Sequence, residues 1–305
     1  MYKISKILID ELNKNNVKYC HWKSNVNLKK SLQGYDDLDL LVDKNDYYIF
    51  NKIILKHNFK EAYNEFLNIN SIRHFYGFDS ETGSILHLHV YTKIITGPSW
   101  IKSYFFDLNK VFFNVRYEYN VALPPKEIEL IVFVFRLYLK FSSFFEFFST
   151  FYHKKLIKEE IEYLSKSISH SELENLLNKY FKNIKVNEFI KYKNELINRN
   201  ILKTIYFSFK LRNKLKYFKI YSSLNQFFKS VNHFRYRLIN KLYFKRKKRL
   251  INGGSFIAIT GLDATGKSSM IKIIKDWLSP FFDVKDIHFG KPKSSFITFP
   301  INLAV

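Results

Sequence analysis

The 305-residue sequence is poor in cysteine, glycine, proline and acidic residues. Its one cysteine, Cys20, excludes an internal disulfide and is typical of a reducing compartment. Glycine and proline number only 9 and 6, which leaves few obvious loops and turns. Because 27 acidic residues face 50 lysines and arginines, the net charge is +23, and this charge favours phosphates, nucleic acid or an anionic membrane as partners.

The sequence also predicts neither a signal peptide at its N-terminus nor a membrane span. Asp10 and Glu11 stand where a signal peptide would be apolar. Three charged residues interrupt the most apolar stretch, 130–152: Arg136, Lys140 and Glu146. We therefore expect a buried core helix there, not a membrane span, and a cytoplasmic protein.

Residues 1–123 predict a mixed α and β domain. Helices are expected around residues 3–15 and over "KNDYYIFNKIILKHN", which has Asp46 near its start. "YDDLDLLVD" predicts a strand, and "SIRHFYGF" and "ILHLHVYTKI" predict a second and third, joined by the turn "DSETGS". Pro124 and Pro125 close this domain.

Residues 124–250 predict a helical, basic connector. Its first helix follows the two prolines and carries Glu127 and Glu129 in its first turn. The part from 201 to 250 holds fifteen lysines and arginines and no acidic residue. Apolar residues recur there every three or four positions, from Phe207 to Leu242, which predicts one apolar stripe on one or two helices.

Two interpretations of that stripe remain open at the level of sequence. It either packs on the helix within 126–152, with its charges solvated, or docks on the inner face of the membrane, where the protein would be peripheral. Nucleic acid is a third partner class, which would share the sensitivity to salt but not the need for lipid.

Residues 251–305 open with a phosphate-binding motif. "SFIAIT" predicts a short buried strand, the pattern Gly261-x-x-x-x-Gly266-Lys267-Ser268 follows, and "SSMIKIIKDWL" predicts a helix. The glycines let backbone N–H groups point at phosphate oxygens, and the helix N-terminus adds its positive end. Lys267 would reach the β- and γ-phosphates of ATP, and the Ser268 hydroxyl would bind Mg²⁺.

The stretch "GLDATGKSS" resembles the loop of thymidylate kinases, which commonly read G-x-D-G-x-G-K-[ST]-[ST]. The resemblance implies ATP and Mg²⁺ binding and phosphoryl transfer to a nucleoside monophosphate or a related acceptor. It implies that Lys267 stabilises the transferring group and that Asp263 faces the sugar of the acceptor. The remaining loop positions would line the nucleotide: Ala264, which replaces a usual glycine, Thr265 and Ser269.

The same resemblance predicts a kinase domain that is incomplete in this chain. "VKDIHFGKP" is expected as a second strand of the domain. Only 38 residues follow Lys267, and the Asp-Arg motif and arginine-rich lid of that family do not appear among them.

A second constellation lies in "CHWKSNVNLKKSLQGYDDLDLLVD". Residues two apart share a face of a strand, so Asp37 and Asp39 would project together while Leu38 and Leu40 point into the core. Two such carboxylates suit a Mg²⁺ site for nucleotidyl transfer. Two upstream residues would contact phosphates: Lys23 and Ser24.

This stretch resembles the nucleotidyltransferase fold, whose usual pattern is Gly-Ser, a short helix and Asp-x-Asp. Ser24 takes the place of the serine, and Lys23 stands where glycine is usual. The third carboxylate of that family lies on a later strand, where "ILHLHVY" instead offers His87 and His89. We interpret this pair either as a packed or solvated strand face or as metal ligands.

The order of the parts also resembles bacterial proteins found among surface-polysaccharide genes, which join such a domain to a thymidylate-kinase-like loop. The predicted fold is a nucleotidyltransferase-like α+β domain over 1–123, a helical connector over 124–250, and the start of an α/β P-loop domain over 251–305. The leading function is ATP-dependent phosphoryl transfer. The alternatives are Mg²⁺-dependent nucleotidyl transfer through Asp37 and Asp39, and a non-enzymatic module that binds an anionic surface.

Overall fold

The computed structural model describes residues 1–64, 69, 71–99, 101–141, 146, 153–198 and 200–287. Within these ranges the chain is mixed α and β, as predicted, with the strands in its first part and helices through its middle. The helices of the first part are α1 (Lys3–Lys14), α2 (Leu28–Ser31), α3 (Tyr47–Lys56) and α4 (Asn109–Phe112). Its strands are β1 (Tyr19–His21), β2 (Leu38–Val42), β3 (Lys60–Tyr63), β4 (Ile72–Asp79), β5 (Ser84–Tyr91), β6 (Ile94–Thr96), β7 (Tyr104–Phe106), β8 (Arg116–Glu118) and β9 (Val121–Leu123).

A six-stranded sheet organises the first domain, in the order β1-β2-β5-β4-β3 followed by a short edge strand, β10 (Arg249–Leu250). Only the β2–β5 pair is parallel, and the other neighbours are antiparallel. The edge strand corrects the prediction of a helical connector over 124–250 at its last residues. Arg249 lies opposite Tyr63 because the chain returns to the open edge of β3, whose backbone groups need partners.

The two faces of the central sheet differ in polarity. On β5, Leu86 and Leu88 are fully buried, while His87 and His89, which alternate with them, lie on the opposite face and are partly exposed. Helix α1 buries its apolar side, which includes Leu8. The alternation therefore leaves one face for the core and places the polar strand residues together on the other.

The connector is a set of helices. They are α5 (Lys126–Lys140), α6 (Lys154–Ser165), α7 (His170–Tyr180), α8 (Val186–Asn198), α9 (Ile201–Lys214), α10 (Ser223–Ile239) and a π-helical turn (Asn240–Phe244). Eleven of the fifteen residues of α5 are buried, which confirms the core helix expected over 130–152 for the part up to Lys140. Residues 142–145 and 147–152 lie outside the described residues. In the described part of the chain, no helix combines the length and the apolar character needed to cross a bilayer.

The apolar stripe of 201–250 divides between two environments. Helix α9 packs on α5, where Leu211 is fully buried and Ser208 Oγ donates a hydrogen bond to the Tyr138 carbonyl at 2.9 Å. Helix α10 has no buried residue along its whole length. Packing on the core helix therefore accounts for the first half of the stripe and not for the second.

The final described segment contains the predicted helix, α11 (Lys267–Leu278), but not the predicted strand before it. Residues 255–260 form no strand, and the side chains of Phe256 and Ile257 are 72% and 57% exposed. A buried strand needs hydrogen-bonding neighbours, and no described strand pairs with this segment. Residues 284–287 of the second expected strand are also irregular, and its remaining residues lie outside the described ones.

Candidate metal and phosphate site

Carboxylates and imidazoles line up across the polar face of the central sheet. The parallel register places Asp39 of β2 beside His89 of β5, and the antiparallel register places His89 beside His74 of β4. Asp37 immediately precedes β2, and His87 lies two residues before His89. Three adjacent strands thus bring two carboxylates and three imidazoles onto one surface.

The two carboxylates are held by the histidines of β5. Asp37 Oδ1 lies 2.6 Å from His87 Nδ1, and Asp37 Oδ2 lies 3.4 Å from His89 Nε2. Asp39 Oδ1 lies 3.2 Å from His89 Nδ1. Since both aspartates contact His89, they project from the same face, whereas Leu38 and Leu40 are fully buried on the other.

These contacts set the charge of the cluster. Burial opposes ionisation of Asp37, but the hydrogen bond from His87 outweighs it and lowers the pKa of the carboxyl. Burial opposes ionisation of Asp39 as well, and Lys23 overcomes it, so that the pKa of Asp39 is also lowered. Burial lowers the pKa of His87 to about 4 and, together with His89, that of His74 to about 2. At neutral pH the site therefore contains two carboxylates, and His74 and His87 are neutral.

The predicted phosphate residues Lys23 and Ser24 lie next to this cluster. Lys23 Nζ is 2.8 Å from Asp39 Oδ1 and 3.0 Å from the Tyr91 hydroxyl. Burial opposes the charge of Lys23, but Asp39 outweighs burial and raises the pKa of the ammonium group. Ser24 adopts a left-handed conformation with φ 60°, which Lys23 does not. The residue with the left-handed backbone is therefore Ser24. Lys23, which stands where the nucleotidyltransferase pattern has glycine, does not need the backbone freedom of a glycine.

Asn25 fastens the Lys23–Ser24 loop to the core helix α5. Its side-chain amide donates to Glu129 Oε1 at 2.6 Å and to the His21 carbonyl at 3.0 Å, and its oxygen lies 2.5 Å from His21 Nδ1. Asn25 is 1% exposed and Glu129 is 2% exposed. This buried network fixes the loop against both β1 and α5, because each group would otherwise lack a partner away from water.

A small cavity next to the cluster is lined by four cationic side chains, and we call it the cation pocket. The four residues are Lys23, Lys102, Arg136 and Lys140. The cavity measures about 120 Å³ and is also lined by Ser24 and Tyr91. Arg136 Nε is buried and makes no hydrogen bond within the described part of the chain. A buried guanidinium N–H without an acceptor, among three other cations, marks a place for an anion.

Burial and mutual repulsion disfavour the charges of Lys102 and Lys140 in the cation pocket, and the nearby carboxylates Asp39 and Glu146 offset this only in part. Burial, and then the neighbouring Lys140, lower the pKa of Lys102 well below its usual range. Burial, and then Arg136, lower the pKa of Lys140 to about 8. Clustered like charges with perturbed pKa values inside a cavity are typical of functional sites.

The predicted P-loop lies on the surface and folds around its own lysine. Gly261, Ala264 and Gly266 all have positive φ, at 157°, 64° and 81°. Lys267 Nζ donates to the Gly261 carbonyl at 2.8 Å and to the Leu262 carbonyl, and it lies 3.6 Å from Asp263 Oδ1. The lysine head group is therefore held by carbonyl groups of the loop itself.

The other loop residues take the following positions. Thr265 Oγ1 donates to the Leu262 carbonyl at 2.7 Å, and Ser268 and Ser269 are exposed in the first turn of α11. The Asp263 side chain is fully exposed. Helix α11 rests on the sheet through Trp277, whose ring lies 5.8 Å from that of Phe78.

Sequence reasoning missed His74 and three members of the cation pocket. His74 lies within the predicted hairpin, and the pairing of Asp79 with Ser84 around the turn places it opposite His89. The sequence predicted "DSETGS" as a turn but not the pair of residues that closes it, and that pair fixes which residues of the two strands face each other. Lys102, Arg136 and Lys140 come from a turn and a helix far along the chain, and no local pattern links them to Lys23.

Comparison with known proteins adds no family. No protein-family model, curated protein or solved structure matched the chain. The resemblances to thymidylate kinases and to nucleotidyltransferases therefore stay predictions.

Proposed function

We propose that the first domain binds a nucleoside triphosphate and transfers its nucleotidyl group to an acceptor. The single observation that carries the proposal is that Lys23 connects two sites. It lines the cation pocket, and it also contacts Asp39 in the cluster of two aspartates and three histidines on the polar face of the sheet. A triphosphate carries several negative charges, which four converging cations would neutralise. A divalent metal ion near Asp37 and Asp39 would then orient the α-phosphate and stabilise its developing charge.

The reaction that fits this arrangement is an in-line displacement. The hydroxyl oxygen of the acceptor would attack the α-phosphorus and release its proton to solvent. The bond between the α-phosphorus and the oxygen that bridges to the β-phosphate would break, and pyrophosphate would leave into the cation pocket. The nucleotidyltransferase resemblance, with Asp37 and Asp39 as the Asp-x-Asp pair and Ser24 in the serine position, supports the same class of reaction.

A second candidate function is ATP binding at the loop 261–269. The positive φ of Gly261, Ala264 and Gly266 and the position of Lys267 over the loop favour it. The thymidylate kinase resemblance supports phosphoryl transfer to a nucleoside monophosphate or related acceptor there. In that reaction Ser268 would hold Mg²⁺ and Asp263 would contact the acceptor.

Calorimetry with Mg-ATP separates the two binding sites. We compare the wild type with Lys140→Met, which removes one cation of the pocket, and Lys267→Ala, which removes the lysine of the loop. Loss of one charge-assisted contact costs about 1.5–3 kcal/mol, so we expect Lys140→Met to bind roughly ten- to a hundredfold more weakly and Lys267→Ala to bind normally. The reverse pattern would assign ATP to the loop, and equal affinities would contradict both sites.

The products of nucleotide turnover distinguish the two reactions. Nucleotidyl transfer releases pyrophosphate, whereas phosphoryl transfer releases ADP. We expect pyrophosphate in the presence of a divalent metal ion, its loss in Asp39→Asn, and its retention in Lys267→Ala. Release of ADP that depends on Lys267 would instead establish the kinase reaction.

A further inference from the structure

Three histidines converge on the polar face of the sheet. His74 lies opposite His89 on the neighbouring strand, and His87 precedes His89 by two residues on the same face. One ring nitrogen from each histidine lies within 4.8 Å of the other two. His74 Nδ1 and His87 Nε2 are 3.1 Å apart. Two nitrogen ligands on a tetrahedral zinc ion lie roughly 3.3 Å apart, because each Zn–N bond is about 2.0–2.1 Å long.

The two aspartates orient the imidazoles of β5. Asp37 Oδ1 is 2.6 Å from His87 Nδ1, and Asp39 Oδ1 is 3.2 Å from His89 Nδ1. A carboxylate accepts the hydrogen bond, so Asp37 places the His87 proton on Nδ1 and the lone pair on Nε2. Asp39 favours the same tautomer of His89, whose Nε2 also lies 3.4 Å from Asp37 Oδ2. Histidines that bind metal ions commonly have such carboxylate partners behind them. The arrangement occurs twice in this cluster.

We propose that His74, His87 and His89 bind a divalent transition-metal ion of the zinc type. Three imidazoles suit zinc and its neighbours in the first transition row, whereas Mg²⁺ prefers oxygen ligands. Three protein ligands also leave a fourth position open for water or substrate. The inference names the metal ion of the proposed active site and in that sense rests on the proposed function, although the ion binds without any nucleotide.

Lys248 is the group that competes with the ion. Its Nζ lies 3.3 Å from His87 Nε2 and donates to the Tyr76 hydroxyl at 2.6 Å. An ammonium group beside a ligand nitrogen repels a metal cation, so a bound ion must displace Lys248. Lys248→Met removes that charge and leaves all three imidazoles in place. We therefore expect this variant to bind the metal ion more tightly than the wild type.

The test is a titration of the untagged full-length protein with Co²⁺, whose visible absorption reports coordination, followed by displacement with Zn²⁺. We expect one ion per chain in the wild type and at least tenfold weaker binding in His74→Gln and in His87→Gln. Asp37→Asn should weaken binding about ten- to a hundredfold, because it removes the partner that orients His87. The matched control is His170→Gln, which removes an exposed imidazole at the start of α7 and should bind normally.

Two results would overturn the proposal: no Co²⁺ absorption with the folded wild type, or equal binding by His74→Gln and His170→Gln. If the histidine variants do not fold, the metal affinity of Lys248→Met tests the proposal instead. If that variant binds Co²⁺ no more tightly than the wild type, the ion does not bind at these histidine nitrogens. Calorimetry of the wild type with Mg-ATP tests the proposed function separately. Absence of ATP binding in a protein that binds Co²⁺ contradicts the function and leaves the metal site standing.

Discussion

At the scale of single residues, Lys102 and Lys140 lie where two ammonium groups would ordinarily avoid each other. Both are partly buried, and both line the same small cavity as Lys23 and Arg136. Burial makes this repulsion costly, because less water is present to screen it. The arrangement lowers stability in the absence of a ligand, which is the usual relation between a binding site and the fold that carries it.

Replacement of Lys140 by methionine should therefore stabilise the protein. Burial and Arg136 lower the pKa of Lys140 to about 8, below its value in the unfolded chain. Below pH 8 Lys140 is protonated in both the folded and the unfolded chain, so the folded state carries the full free-energy cost of the buried charge. Between about pH 8 and 10.5 the unfolded state keeps the proton that the folded state loses, so stability should rise with pH. We expect Lys140→Met to be more stable at pH 7 by on the order of 1–3 kcal/mol, measured by urea unfolding.

The control for this prediction is Lys182→Met, which removes an exposed lysine outside the pocket and should leave the stability unchanged. Burial also lowers the pKa of Lys248 to about 8, so part of the rise with pH should persist in Lys140→Met. A Lys140→Met protein that is less stable than the wild type at pH 7 would show that packing of the lysine stem outweighs repulsion.

At the scale of elements, one asparagine connects the loop of Lys23 and Ser24 to the core. Asn25→Ala would leave the carboxyl group of Glu129 and the ring of His21 without a hydrogen bond that they now make. A buried polar group that loses its partner costs about 1–3 kcal/mol, so we expect a loss of stability of that size in urea unfolding. We also expect weaker ATP binding in calorimetry, because the loop would no longer hold Lys23 in place.

Asn45→Ala, which changes an exposed asparagine in the turn before α3, is the matched control and should have neither effect. Lower stability of Asn25→Ala with unchanged ATP affinity would mean that Asn25 supports the fold but does not position the pocket.

The elements that the sequence predicted are those whose patterns are local. Apolar spacing predicted α1 and α5, and alternation predicted the β4–β5 hairpin and the shared face of Asp37 and Asp39. The place of His74 in the histidine cluster depends on how β4 and β5 are aligned across their turn, and the sequence of one strand alone does not specify that alignment. The strand expected over 255–260 failed for a related reason, since an apolar run becomes a strand only where another strand offers hydrogen bonds.

At the scale of the whole molecule, helix α10 presents its apolar side to solvent. Its exposed apolar residues are Leu224, Phe227, Phe228, Val231, Phe234 and Leu238. Lys229, Asn232, His233 and Tyr236 of this helix line a cavity of about 480 Å³ against the first domain, together with Ile95 and Phe105. A helix that packs on its own core buries its apolar side, and α10 buries none of its residues. It leaves an apolar stripe and the surrounding cations available to an outside surface.

An anionic bilayer matches both properties of this surface, so we expect the intact chain to sediment with anionic vesicles. Fifteen cations and no acid between 201 and 250 supply attraction worth about 1 kcal/mol for each cation near the membrane, which salt screens. Inserted phenylalanines add apolar burial that salt does not remove.

The double variant Phe227→Ser with Phe228→Ser should reduce vesicle binding at least tenfold, because burial of one aromatic side chain is worth about 1.5–3 kcal/mol. The matched control, Tyr48→Ser with Tyr117→Ser, changes two exposed aromatic residues of the first domain and should bind like the wild type. Sedimentation across lipid charge and salt measures both contributions. Binding that is lost in moderate salt and is unchanged in the double phenylalanine variant would show that the cations act alone and that the apolar stripe stays out of the lipid. Absence of binding at low salt would contradict membrane docking altogether.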